Sequence, residues 1–103
     1  MANNIKRKQL YARLGDIRKT DDWARAAVKL GLDLGERNGT SHYLTIRDPQ
    51  NKNHADVRSL VQTVQHNLYK EANQQIFKGL LRFGLEKGLY EEDNIWRALK
   101  MLK

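Results

Sequence analysis

His42, His54 and His66 are the side chains of this sequence best suited to chemistry near neutral pH, and each stands twelve residues from the next. An imidazole with an unperturbed pKa of about 6.5 gives and takes protons in the physiological range. The spacing does not read as a metal site. Ligating histidines come in short local pairs with a third ligand, and the chain has no cysteine to supply a thiolate. A Gly-rich phosphate loop, a nucleophile elbow and a suggestively placed pair of carboxylates are also missing from the sequence. The expectation is therefore no metal and no cofactor, with proton transfer as the chemistry left open. His42 stands just past Asn38-Gly39, a type I′ turn signal, where a side chain can leave a sheet and reach a substrate. Simple alternation also puts it on the face of Leu44 and Ile46, so a structural histidine under the helices is the alternative. Asn38-Gly39-Thr40 fits a glycosylation acceptor in form, but reads as the turn itself.

The elements around these residues follow from periodicity and punctuation. Tyr11, Leu14 and Ile17 recur at roughly helical spacing within residues 4–18, with Gly15 interrupting a thin apolar face. Thr20-Asp21-Asp22 offers caps and acids to a helix carrying Trp23, Ala27 and Leu30 on one face, and Gly31 ends it. Residues 32–46 read as a hairpin, Leu32 and Leu34 alternating on the way out and Leu44 and Ile46 on the return. Asp48-Pro49 closes the second strand, and a polar loop runs over 50–56. Val57, Leu60, Val61 and Val64 match a helical stripe, yet the stretch 57–66 is short and β-branched. A third strand is chosen because two strands cannot readily make an independent sheet. Ile76, Phe77, Leu80, Leu81 and Phe83 mark a helix stopping at Gly88; Glu91-Glu92-Asp93 opens a last one carrying Ile95, Trp96, Leu99 and Leu102. Trp23 and Trp96, flanked by aliphatic neighbours, are expected in the core rather than stacked on bases.

At 103 residues the chain fits one domain, with 40% hydrophobic and 30% charged residues. A mean hydropathy of -0.77 implies a modest core. Without cysteine, nothing depends on an oxidising compartment. No apolar run is long enough for a membrane span and the first residues lack the apolar stretch of a secretory signal, so a cytoplasmic protein is expected. The formal net charge is +7. It is concentrated in residues 1–20, where Lys6, Arg7, Lys8, Arg13, Arg18 and Lys19 stand against Asp16 alone. Such a leader can track phosphates through salt-sensitive contacts or can simply keep a small protein soluble.

Gly39-Thr40-Ser41-His42 followed by Tyr43-Leu44-Thr45-Ile46-Arg47-Asp48-Pro49, after a capped helix ending at Gly31, resembles the HicA-type toxins of bacterial and archaeal toxin–antitoxin pairs. Thr63-Val64-Gln65-His66-Asn67 and the helix around Ile76 to Gly84 look like that family's third strand and closing helix, and the match covers residues 21–88. The resemblance implies an α+β fold with a helix, three strands and a helix in the manner of double-stranded-RNA-binding domains. Here it would be extended by a basic leader (1–20) and a C-terminal helix (89–103). It implies a metal-independent mRNA interferase with His42 as catalytic histidine, and a HicB-type antitoxin covering that histidine and the RNA surface. On this reading Ser41, Arg47, Lys52 and Lys70 would contact RNA. A non-catalytic RNA-binding module is the competing reading, and a structural partner protein with Trp23 and Trp96 at an interface is the third.

Overall fold

A computed structural model describes residues 2–36, 43–53, 55–65 and 67–102, the side chains of 2–6, 36 and 43 excepted. Helix α1 (Ala2–Arg13) tightens into a 3-10 turn (Leu14–Asp16) around Gly15. Then follow α2 (Thr20–Lys29), β1 (Asp33–Glu36), β2 (Tyr43–Arg47), a second 3-10 turn (Val57–Ser59), β3 (Leu60–Gln65), α3 (Lys70–Lys87) and α4 (Glu92–Ala98). The fold is α+β: a three-stranded antiparallel sheet in the order β1-β2-β3, covered on one face by helices.

The leader is more than a solvated arm. Leu10, Leu14 and Ile17 are buried in the same core as Trp23, Phe77 and Trp96. A single polar side chain ties it there. Asn73 of α3, fully buried, donates from Nδ2 to the carbonyls of Leu14 (2.6 Å) and Ile17 (2.9 Å) and accepts from Trp23 Nε1 at 2.9 Å. One residue of α3 thus satisfies polar groups of the 3-10 turn, of the residue capping it and of α2, fifty or more residues away in sequence, inside the core, as burial requires.

Helix α2 starts one residue earlier than the caps suggest. Lys19 holds the capping position without a side-chain bond, and Thr20 is already helical. The stop is as expected: Gly31 takes φ +84°, letting Gly31 N–H reach the Val28 carbonyl and Leu32 N–H the Ala27 carbonyl. Trp23 and Trp96 are 0% and 1% exposed, which removes the reading in which they line an interface. Phe77 stacks on Trp96 with ring centroids 4.3 Å apart.

In the sheet, Leu34 pairs with Ile46 and Glu36 with Leu44; the turn at Asn38-Gly39 lies outside the described residues. The third strand forms, but only from Leu60. Val57, the first member of the apparent helical stripe, belongs to the preceding 3-10 turn and is 83% exposed. Opposite the Ile46–Arg47 junction the register of β3 shifts by one residue, a bulge, after which Gln62 to Gln65 pair regularly. Val64 and Ile46 face the helices, and the close approach of Gln62 to Gly79 of α3 marks the same side. The odd-numbered positions Thr45 and Thr63 therefore occupy the opposite face. Among the described residues no helix is long and apolar enough to cross a membrane.

Candidate nucleic-acid interface

Helical spacing assembles a concavity whose charged lining residues are all cationic. On α1, Arg7, Lys8, Tyr11 and Ala12 fall one turn apart; on α3, Lys70, Gln74, Phe77, Lys78 and Leu81 lie along one stripe. Together they line a groove of about 420 Å³. Tyr11 packs edge-on against Phe77, with centroids 5.8 Å apart at 81°. The floor is thus aromatic and aliphatic, and the rim is cationic. Gly15 at the helix break leaves room for the Lys70 stem, whose Cβ lies 3.6 Å from where a Cβ at 15 would stand.

The electrostatics of the rim are uneven. Arg7 Nε donates to Glu92 Oε2 at 2.9 Å, and the same oxygen accepts from Trp96 Nε1 at 3.1 Å, so one guanidinium edge is anchored to α4. Lys8, Lys70 and Lys78 form no ion pair among the described residues. Three ammonium groups and one tethered guanidinium around an apolar floor suit a polyanion with flat apolar surface: phosphates on the rim, a base or ribose over the floor. No protein-family model, curated protein or solved structure matches this chain.

The residues expected from sequence to contact RNA are not gathered in one place. Ser41 and His42 lie outside the described residues, as do His54 and His66. Arg47 is half-buried on the sheet face away from the helices, donating from Nη1 to Ser59 Oγ (2.9 Å) and from Nε to Thr45 Oγ1 (3.3 Å). Lys52 bridges Asp33 at 2.7 Å, and Asp33 is the register partner of Arg47. These two cations therefore share the end of the sheet opposite Tyr43, about 14 Å along β2 at the usual rise per residue. Lys70 alone sits in the groove, following the Gln65 end of β3.

Sequence reading missed the partners of Lys70. Arg7 and Lys8 counted only as leader charge, and Lys78 was not singled out. The usable signal was the polar series Lys70, Gln74, Lys78 at i, i+4 and i+8 beside Phe77 and Leu81.

The loop before β3 is ordered by its own polar groups. Asp56 accepts from Arg58 Nε (3.1 Å), Arg58 N–H (3.0 Å) and Asn51 Nδ2 (3.1 Å). The Arg58 side chain first, then its backbone N–H and Asn51, hold the Asp56 carboxyl down at about 2. Among the described residues no three His, Asp or Glu side chains come together as metal ligands.

Proposed function

We propose that this chain binds RNA in the α1–α3 groove and acts as the toxin of a toxin–antitoxin pair, cutting mRNA without a metal, with His42 as general acid or base. The observation that carries the RNA part is the groove: cations from residues 7–8 and 70–78, far apart in sequence, converge over an apolar floor. The +7 charge adds long-range attraction for the same partner. Scission rests on the resemblance of Gly39-Thr40-Ser41-His42 and β2 to the HicA-type motif. An imidazole there would take the proton from a 2′-hydroxyl or give one to the departing 5′-oxygen. The α2-β1-β2-β3-α3 order is compatible with a double-stranded-RNA-binding-domain-like arrangement. A HicB-type antitoxin would be the neutralising partner.

A second reading, RNA binding without scission, rests on the groove alone, whose cations and apolar floor account for binding and not for cutting.

The test is incubation of purified protein with labelled mRNA in a chelator. Defined fragments are expected, and His42→Ala should abolish them while leaving RNA binding intact. Bound but uncut RNA would favour the second reading, and no binding at low salt would refute both. Lys70→Gln and Lys78→Gln should each weaken binding and lower the slope of log affinity against log salt by about 0.7, the share of one single-strand phosphate contact.

A further inference from the structure

We infer that Gln74 is the residue through which the groove tells one base from another, selecting an unpaired adenine; the inference rests on the RNA-binding reading above and adds a sequence preference to it. Helix α3 carries three amides in a row, and each meets a different environment. Asn73 is sealed in the core with its oxygen and both its donor hydrogens engaged. Gln75 is exposed and does not line the groove. Gln74 falls between them: half-buried in the groove wall, with no hydrogen bond among the described residues.

Its neighbours supply the parts of binding that do not depend on sequence. Lys70 and Lys78 stand one turn to either side of it, exposed on the rim, where compact ammonium groups meet phosphate as point charges. Tyr11, half-buried and braced by Phe77, makes with Leu81 the apolar floor on which a base can lie. Every nucleotide has a phosphate and every base a π-face, so neither set discriminates. The neutral polar side chains of the groove are Tyr11 and Gln74. A hydroxyl donates or accepts by rotating and selects little, whereas an amide holds a donor and an acceptor side by side in one plane.

That pair matches the N6 amino group and N7 of adenine, giving two bonds from one side chain. On the same edge guanine offers two acceptors, so the amide oxygen would face guanine O6 with no proton between them. Cytosine and uracil have no N7 and lay a smaller ring on the floor, which weakens stacking. In duplex RNA the bases are stacked inside and their N7 edges lie in a groove too deep and narrow for a side chain, so the edge that Gln74 reads is open in single strands. Size agrees with this. A groove of about 420 Å³ has the scale of a small-molecule site, room for one nucleotide and not for a double helix.

The test measures the affinity of short 2′-O-methyl oligoribonucleotides, which have no free 2′-hydroxyl to start scission, each a uridine run with one central base varied. Central adenine should bind about tenfold tighter than central uracil. Replacing that adenine by 7-deazaadenine, which lacks the N7 acceptor, should remove most of the advantage in the unaltered protein. Gln74→Leu keeps most of the side-chain volume and should make adenine, 7-deazaadenine and uracil bind alike. The slope of log affinity against log salt should stay as it was, because the lysines are untouched. An adenine–uracil duplex of the same length should compete poorly. Equal binding of all four bases, or a duplex that competes as well as the single strand, would overturn the inference and leave the RNA-binding reading standing; no binding at low salt would remove both. A preference for another base, an adenine preference indifferent to N7, or one that survives in Gln74→Leu would also overturn it. The 7-deazaadenine comparison needs no variant, so a misfolded Gln74→Leu protein would not rescue it.

Discussion

Replacing Asn73 should cost far more than an average polar substitution. Asn73→Leu keeps the volume but removes one acceptor and two donors from a site with no solvent exposure. Trp23 Nε1–H and the Ile17 carbonyl lose the bonds described above, whereas the Leu14 carbonyl keeps the Ile17 N–H at 3.2 Å. Two stranded groups at about 1–3 kcal/mol each give a loss of about 3–4 kcal/mol, a large part of the stability of a domain this size. Thermal unfolding should show a Tm lower by about 15 °C. Asn73→Asp separates hydrogen bonding from volume. A carboxylate can still accept from Trp23 but faces two carbonyls, so burial raises its folded pKa above the ordinary value of about 4. Such a group is least harmful below its unfolded pKa, and stability falls as pH rises through the folded one. Asn73→Asp should therefore approach wild-type stability in acid and lose it toward neutrality. A loss below about 1 kcal/mol for Asn73→Leu, or an Asn73→Asp penalty that does not change with pH, would refute the reasoning.

Asp56 titrates in the opposite sense. Its depressed carboxyl contributes stability above the unfolded value of about 4 that is lost as pH falls toward about 2; Tm measured from pH 5 downward should drop over that window, and Asp56→Ala should flatten the drop. Two helix glycines should diverge under the same substitution. At Gly84 an added methyl meets the Tyr90 ring, whose hydroxyl donates to the Leu80 carbonyl at 2.6 Å, so Gly84→Ala should destabilise by about 1–3 kcal/mol despite better helix propensity. At Gly79 the methyl meets only the amide end of Gln62, and urea unfolding of Gly79→Ala should show no loss or a small gain.

Local features were legible in the sequence wherever one short-range rule dominated. Gly31 and Gly88 mark helix ends because both take positive φ, and Asp48-Pro49 ends β2 at Arg47. Ile95 and Trp96 fall on the buried face of α4, as their spacing requires. Residues 57–59 misled because an exposed valine in a 3-10 turn counts in a periodicity search like a buried one. Leu34 misled similarly: it lies on the core face by register, but β1 is an edge strand and leaves it 37% exposed. Asn73 was beyond any local reading, since an asparagine amid helix residues resembles surface until Leu14, Ile17 and Trp23 are known to meet it. The candidate site had the same difficulty. Lys70 was identifiable, but Arg7 and Lys8 beside it come from a helix more than fifty residues earlier, and Arg47 and Lys52, closer in sequence to His42, are engaged at the far end of the sheet.

The groove and the core are consequently one construction. A twelve-residue helix with no acid in its first turn has little reason to be helical alone. What holds α1 is tertiary: Leu10 and Leu14 in the core, the Asn73 bonds at its end, and Arg7 on Glu92. That docking brings Arg7 and Lys8 against Lys70 and Lys78, concentrating like charge at a cost that a bound anion would relieve. The leader's cations are therefore positioned by the same hydrophobic contacts that close the core, and a polyanion bound across α1 and α3 would stabilise the fold by binding only its docked form. A flexible basic tail would gain affinity in proportion to its charge. Under the proposed function the affinity would depend also on Asn73, which lies in the core and not in the groove.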